Sequence, residues 1–216
     1  MSRPKKSEDT KAVEELQYSL DRNLKRVDNL VSVSMPKVST GRGRKSVEDT
    51  DVLRAAVVLL HASLDDFLRS IAILRLPKST NSDVLEKYSL LGSKGNKEQQ
   101  LNLKNLFANR TKSINDYITD SIESYLDLES FNRIKDITDL FLFIGISNGD
   151  DAVKKHFTKL NEMMERRHNI VHRADKPEIT GRGIHHAVDI SPYQVKEWSA
   201  TVKEFSDTVL KCISAV

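Results

Sequence analysis

Between Val47 and Leu74 the chain contains neither proline nor glycine, and the stretch Val52–Arg69 (VLRAAVVLLHASLDDFLR) is apolar around much of a helical circumference. A helix of that kind cannot lie on a surface; other elements have to cover it on several sides. What the rest of the sequence offers as cover is more helix. The chain holds only 8 Gly and 5 Pro in 216 residues, few turn residues for a β-sandwich, and its apolar residues recur at spacings of three and four. The expected fold class is all-α: a helical bundle of long antiparallel helices, with an extra helix at the N-terminus.

That extra helix is expected over Glu8–Ser34, where Val13, Leu16, Leu20, Leu24, Val27 and Val31 form one stripe. The stripe suits packing on the rest of the domain, and equally suits pairing with a partner helix. Pro36 and the run Thr40-Gly41-Arg42-Gly43-Arg44-Lys45 then read as a basic loop. The chain is accordingly divided into a segment 1–45, packed on the main domain, and a helical domain 46–216. Pro77 ends the central helix. Further helices are expected from Ser82 through Leu91, over Glu98–Ile114, Tyr117–Phe131 and Ile134–Ile144, and from a cap at Asp150 or Asp151 through His172. Ser191 caps the last helix and Pro192 opens it, with Val195, Trp198, Val202, Phe205 and Val209 on its inner face.

Cys212 is the sole cysteine, which rules out an intrachain disulfide and suits a reducing compartment. Met1–Lys11 is polar and basic without an apolar core, so no signal peptide is expected, and the longest apolar runs are too short to cross a bilayer. A cytoplasmic protein without a membrane partner is the resulting expectation. The formal net charge of +3 is compatible with a polyanionic partner but is shared by many ordinary proteins. Aromatic residues, at 6%, are scattered at helical core spacing and form no recognisable stacking platform for single strands.

Chemistry concentrates in Phe157–Asp175, FTKLNEMMERRHNIVHRAD. On a helix, Val153, Phe157, Leu160, Met164 and Val171 make an apolar stripe. Arg167 projects into it, while Arg166 projects to the opposite, solvent face. A guanidinium facing a core needs a partner, a cavity or an interface. One reading pairs Arg167 with a carboxylate of the central helix, Asp65 or Asp66. His168 and His172 stand one turn apart, a spacing at which two imidazoles can share a zinc ion, yet no third ligand follows at a recognisable spacing. His185-His186 is a weaker pair, and His61 reads as a core histidine. No metal and no cofactor are expected.

The segment Glu165–Asp175 (ERRHNIVHRAD) resembles the signature of the HEPN superfamily, whose nuclease members carry Arg-x4–6-His. The upstream HASLDDFLR at His61–Arg69 is similar to the first core helix of the RiboL-PSP-HEPN group. The resemblance runs from about Val47 to Leu210, with these two segments its specific parts. The residue after the arginine is commonly Asn in the family; here it is His168. The resemblance implies a HEPN-like helical bundle that dimerises and brings two Arg-x4-His motifs into one cleft, which in active members cuts RNA without a metal. Arg167 and His172 become the catalytic pair.

Those residue types suit that chemistry. RNA carries its own nucleophile, the 2′-hydroxyl, so the site has to remove one proton, deliver another and neutralise charge on phosphorus. Histidine does either proton job near neutrality, and arginine fits phosphate oxygens in a planar fork. One histidine cannot be free base and charged acid at once, and a two-fold homodimer supplies the second copy in a composite active site. Products with 2′,3′-cyclic phosphate and 5′-hydroxyl ends, formed in EDTA, are expected. Asn169 and Arg173, with His168 and Arg166 beside them, are candidates for contacts to the RNA backbone. Asp65, Asp66 and Arg69 are candidates for orienting the pair, and equally for a network holding the bundle together. The resemblance also suggests a toxin or defence effector restrained by a regulatory or antitoxin protein. The alternative is a non-catalytic HEPN-like binding or dimerisation module for RNA, nucleotide or protein.

Overall fold

The computed structural model describes residues 8–35, 47–79, 88, 103–146, 151–176 and 187–214, and among them every regular element is helical. In chain order these are α1 (Glu8–Val33), α2 (Val47–Arg75) with a 3-10 turn at Leu76–Lys78, α3 (Leu103–Ala108), α4 (Ile114–Leu126), α5 (Ile134–Phe143), α6 (Asp151–Lys154), α7 (Phe157–Arg173) and α8 (Pro192–Ser214). The expected helix at Ser82–Leu91 and the start of the one at 98–114 lie outside the described residues. The remainder of that second stretch is helical only over Leu103–Ala108. Ser113 starts a new helix instead, because its side chain accepts the Asp116 N–H while Asp116 accepts the Ser113 N–H, a reciprocal cap.

The chain forms two compact units. One comprises Met1–Phe67 and Gly149–Val216, the other Leu68–Asn148, so the division falls within α2. In the second unit Leu68, Ile71, Ala72, Leu76, Ile122, Leu126, Ile137, Leu140 and Phe141 are buried. α4 packs against the 3-10 turn, and Arg69 Nη2 donates to the Glu129 carbonyl at 2.6 Å. α5 ends where Gly145, at φ +76°, takes the left-handed turn that glycine adopts without strain.

The first unit centres on α8. Val195, Trp198, Val202, Phe205 and Val209 are all buried, and α1, α6 and α7 each pack on this helix. The α1 stripe therefore has an intrachain partner: Leu20, Leu24, Val27 and Val31 are buried, and Gln17 donates to Asp207 at 3.1 Å. The Ser191 cap is present, its hydroxyl accepting the Gln194 N–H at 3.1 Å. Among the described residues no helix is long and apolar enough to cross a membrane.

The helix expected to run unbroken from Asp151 to His172 is interrupted. At His156 the backbone N–H reaches back three residues to Val153 instead of four, a tightened turn that separates α6 from α7. The break lets two successive rings meet α8: His156 and Phe157 lie 6.3 and 6.5 Å from the Phe205 ring. Burial, with Lys155 adding to it and Glu204 opposing, pushes the His156 imidazole below its ordinary value. An imidazole depressed in this way favours folding above the ordinary histidine value of about 6.5, and that contribution is lost as pH falls through the folded-state value. Thermal melts at about pH 7.5 and pH 5 should show a loss of stability on acidification that is smaller in His156→Gln than in wild type. Equal losses would mean that His156 does not carry the effect.

Candidate active site

α7 holds to the unit through Leu160, Met163 and Met164, which are buried, while its last two turns emerge from the core. Arg167 and Asn169 are half-buried there, and His168, His172 and Arg173 are exposed. The His168 and His172 rings stand side by side, centroids 4.6 Å apart and planes at 43°. His172 and Arg173 occupy the last turn, where the free carbonyls of a helix end favour positive charge. Val171, expected on the apolar stripe, is 48% exposed; the helix has by then run past the side chains that cover Leu160 and Met164.

What ends α7 organises this corner of the unit. Ala174 (φ 49°) and Asp175 (φ 57°) are both left-handed, and both donate their N–H to the Asn169 carbonyl. The chain doubles back and drives Asp175 inward until only 1% of it is exposed. Its Oδ2 accepts Arg166 Nη2 and Arg54 Nε, each at 2.7 Å. The same two arginines donate to the Val188 carbonyl, at 2.8 and 3.0 Å. Val188 N–H closes the link by donating to the Asp175 carbonyl at 2.9 Å. One carboxylate thus ties α2, the end of α7 and the segment leading into α8.

This corrects the placement of Arg166. The helical projection puts it on the solvent face, but its side chain is 12% exposed and ion-paired. The reason lies beyond the helix: the doubled-back turn places Asp175 under a face that the helix alone would leave open. Burial pushes the Arg166 guanidinium below its ordinary value, Asp175 pulling it up again and Arg54 pushing it down. The residues that sequence reasoning missed are Arg54 and Asp175. A signal existed for the first, since Arg54 interrupts the apolar run of the central helix and so demanded a buried partner.

Of the other candidate residues, Asp65 is half-buried and Asp66 exposed, one and two residues past Leu64 in the first unit. Arg69 falls in the second unit, bonded to Glu129 as described. His61 is buried, 3% exposed, as a core histidine should be. His185 and His186 lie outside the described residues. Among the described residues no cluster of three or more His, Cys, Asp or Glu is placed to hold a metal ion.

A family model, RiboL-PSP-HEPN, matches residues 21–215, nearly the whole chain and both segments discussed above. The chain belongs to the RiboL-PSP-HEPN family. No curated protein and no solved structure gives a match. The family match begins midway along α1, so the second half of that helix belongs to the matched region, consistent with its seat on α8.

The Asp175 link generates two stability predictions. Asp175→Ala takes the anion from Arg166 and leaves Arg54 only its exposed partner Asp51, and should cost about 3–5 kcal/mol in denaturant unfolding. Ala174→Gly relieves a left-handed alanine and should stabilise by about 1 kcal/mol. A near-neutral Asp175→Ala would show that the arginines find other partners and that the link is not what holds the end of α7.

Proposed function

We propose that this HEPN protein is an endoribonuclease that cuts RNA by attack of the 2′-hydroxyl on the adjacent phosphate, using Arg167 and His172. The observation that carries the reading is the presence of a half-buried arginine and an exposed histidine on the projecting end of α7, in a chain whose family match spans that end. Membership of the family supports a ribonuclease-like function in general; the mechanism and roles below are our reading.

His172 accepts the 2′-hydroxyl proton as the oxygen attacks phosphorus. The P–O5′ bond breaks, and a protonated imidazole delivers the proton that the departing 5′-oxygen needs. The products are a 2′,3′-cyclic phosphate and a 5′-hydroxyl. Arg167, half-buried, holds the non-bridging oxygens in its planar fork as charge builds on them. Its half-burial matters because a hydrogen bond to phosphate is worth more where water is partly excluded.

The second imidazole comes from a second copy of the chain in a two-fold dimer. Val171, exposed beside this pair, is the kind of apolar side chain a partner copy would cover. Asn169, within the motif, and Arg173, next to it, contact the RNA backbone in this reading. Arg166 serves the site indirectly, through its bond to Asp175. Because the substrate supplies its own nucleophile, the reaction needs no metal-activated water. A role as a toxin or defence effector, with a restraining partner protein, fits an intracellular RNase of this type.

Purified protein incubated with a labelled mixed-sequence RNA in EDTA should release cyclic-phosphate ends. Arg167→Ala and His172→Ala, verified as folded by circular dichroism, should each cut about 10²–10⁴-fold more slowly. Strict dependence on magnesium, or 3′-hydroxyl ends, would sink the mechanism. RNA that is bound but never cut by wild type would favour the binding-module reading.

A further inference from the structure

We infer that His168 and His172 form a transition-metal site at the end of α7, and that a zinc ion bound there silences the proposed RNA cleavage. The inference about silencing rests on the nuclease reading; the metal site does not. Two imidazoles one helical turn apart chelate one ion only if their rings converge. With Zn–N bonds of about 2.0–2.1 Å, each ring centroid stands roughly 3.2 Å from the metal. Two such rings then have centroids roughly 4.5 Å apart at a right angle between the bonds, and roughly 5.2 Å apart at the tetrahedral angle. The observed separation is 4.6 Å. Both side chains are exposed, so an ion can arrive without rearrangement of the helix.

The surroundings select the kind of ion. The free carbonyls at the end of α7 favour positive charge, whereas Arg167 and Arg173, each next in sequence to one of the histidines, oppose it. A cation attracted by charge alone gains little under that balance. Magnesium and calcium, which seek oxygen ligands, find none offered by the pair. An ion that forms coordinate bonds to imidazole nitrogen, such as zinc, nickel or copper, is favoured. With two protein ligands the rest of the coordination sphere is water. Structural zinc sites are closed by four protein ligands and catalytic ones by three, so a two-histidine site binds weakly and reversibly.

Such a site is suited to control. The nitrogen lone pair that His172 uses to take up a proton is the same lone pair that binds a metal. An ion on the pair therefore removes the base and ties the two rings together. Removal of the ion by a chelator restores the imidazole with no change of fold.

The test uses untagged, full-length protein at neutral pH, titrated with zinc chloride in a calorimeter. His168→Ala and His172→Ala should each weaken binding by about tenfold or more, the loss of one of two chelating nitrogens. The double variant His185→Ala/His186→Ala should keep the wild-type affinity, and magnesium chloride should give no heat of binding. Wild type that binds no zinc, or binding that survives His168→Ala, overturns the site. In the RNA assay, each protein is compared with itself with and without zinc, so a lower intrinsic rate in a variant does not matter. Zinc should slow wild type and EDTA should restore it, while His168→Ala should respond at least tenfold less. Wild type that binds zinc through the pair yet cuts at an unchanged rate overturns the silencing. Wild type that binds zinc through the pair but never cuts RNA in EDTA supports the site and defeats the nuclease reading instead.

Discussion

Burying a carboxylate costs several kcal/mol unless charged partners meet it in good geometry. Asp175 is met at one oxygen, Oδ2, by two guanidinium groups at 2.7 Å, each itself largely out of solvent, while its Oδ1 is buried without a hydrogen bond. The charges are coupled: removing the carboxylate would leave Arg166 without its anion and Arg54 with only the exposed Asp51, at 3.0 Å. The geometry is reached only because two successive residues turn left-handed at the end of α7, a conformation that costs alanine roughly 1–2 kcal/mol. That local cost is offset by the hydrogen bonds and ion pairs the turn completes. α2, α7 and the approach to α8 meet at this point, and the turn that carries His172 is held by the same residues that cap it.

The arrangement separates two jobs within one short basic run. Arg166 faces inward along the doubled-back chain and fixes the helix end. Its neighbour Arg167 is half-buried on the same helix end that leaves His168 and His172 exposed. Two arginines adjacent in sequence thus divide into a framework group and a candidate phosphate ligand. Under the proposed reaction this matters because a proton carrier works only if its distance to the substrate is held within fractions of an ångström. A frayed helix end would not supply that. An end pinned by a buried ion pair does.

Much of the fold could be read from periodicity. The stripes of α1 and α8 are regular, and the Ser191-Pro192 start of α8 has a local cause that needs nothing from the rest of the molecule. The family signature could be read too, since its residues are contiguous. What escaped the sequence depends on contacts made across the chain. A helical wheel assigns Arg166 to solvent because it knows nothing of the turn that follows. The same wheel buries Val171 because it assumes that packing continues to the end of the helix. The break at His156 has no glycine or proline to announce it; it accompanies the approach of two successive rings to Phe205, a residue of a distant helix. Arg54 was visible as a charge in an apolar run, but its partner, more than a hundred residues away, was not.

The most direct measurement concerns the nucleophile. An RNA whose cleavage position has been mapped is compared with the same strand carrying a single 2′-deoxy nucleotide on the 5′ side of that bond, both in EDTA. If Arg167 and His172 act on a nucleophile that the substrate supplies, the unmodified strand is cut and the modified strand is intact at that bond. Equal cutting of the two strands would show that water, not the 2′-hydroxyl, attacks phosphorus, and would contradict the account.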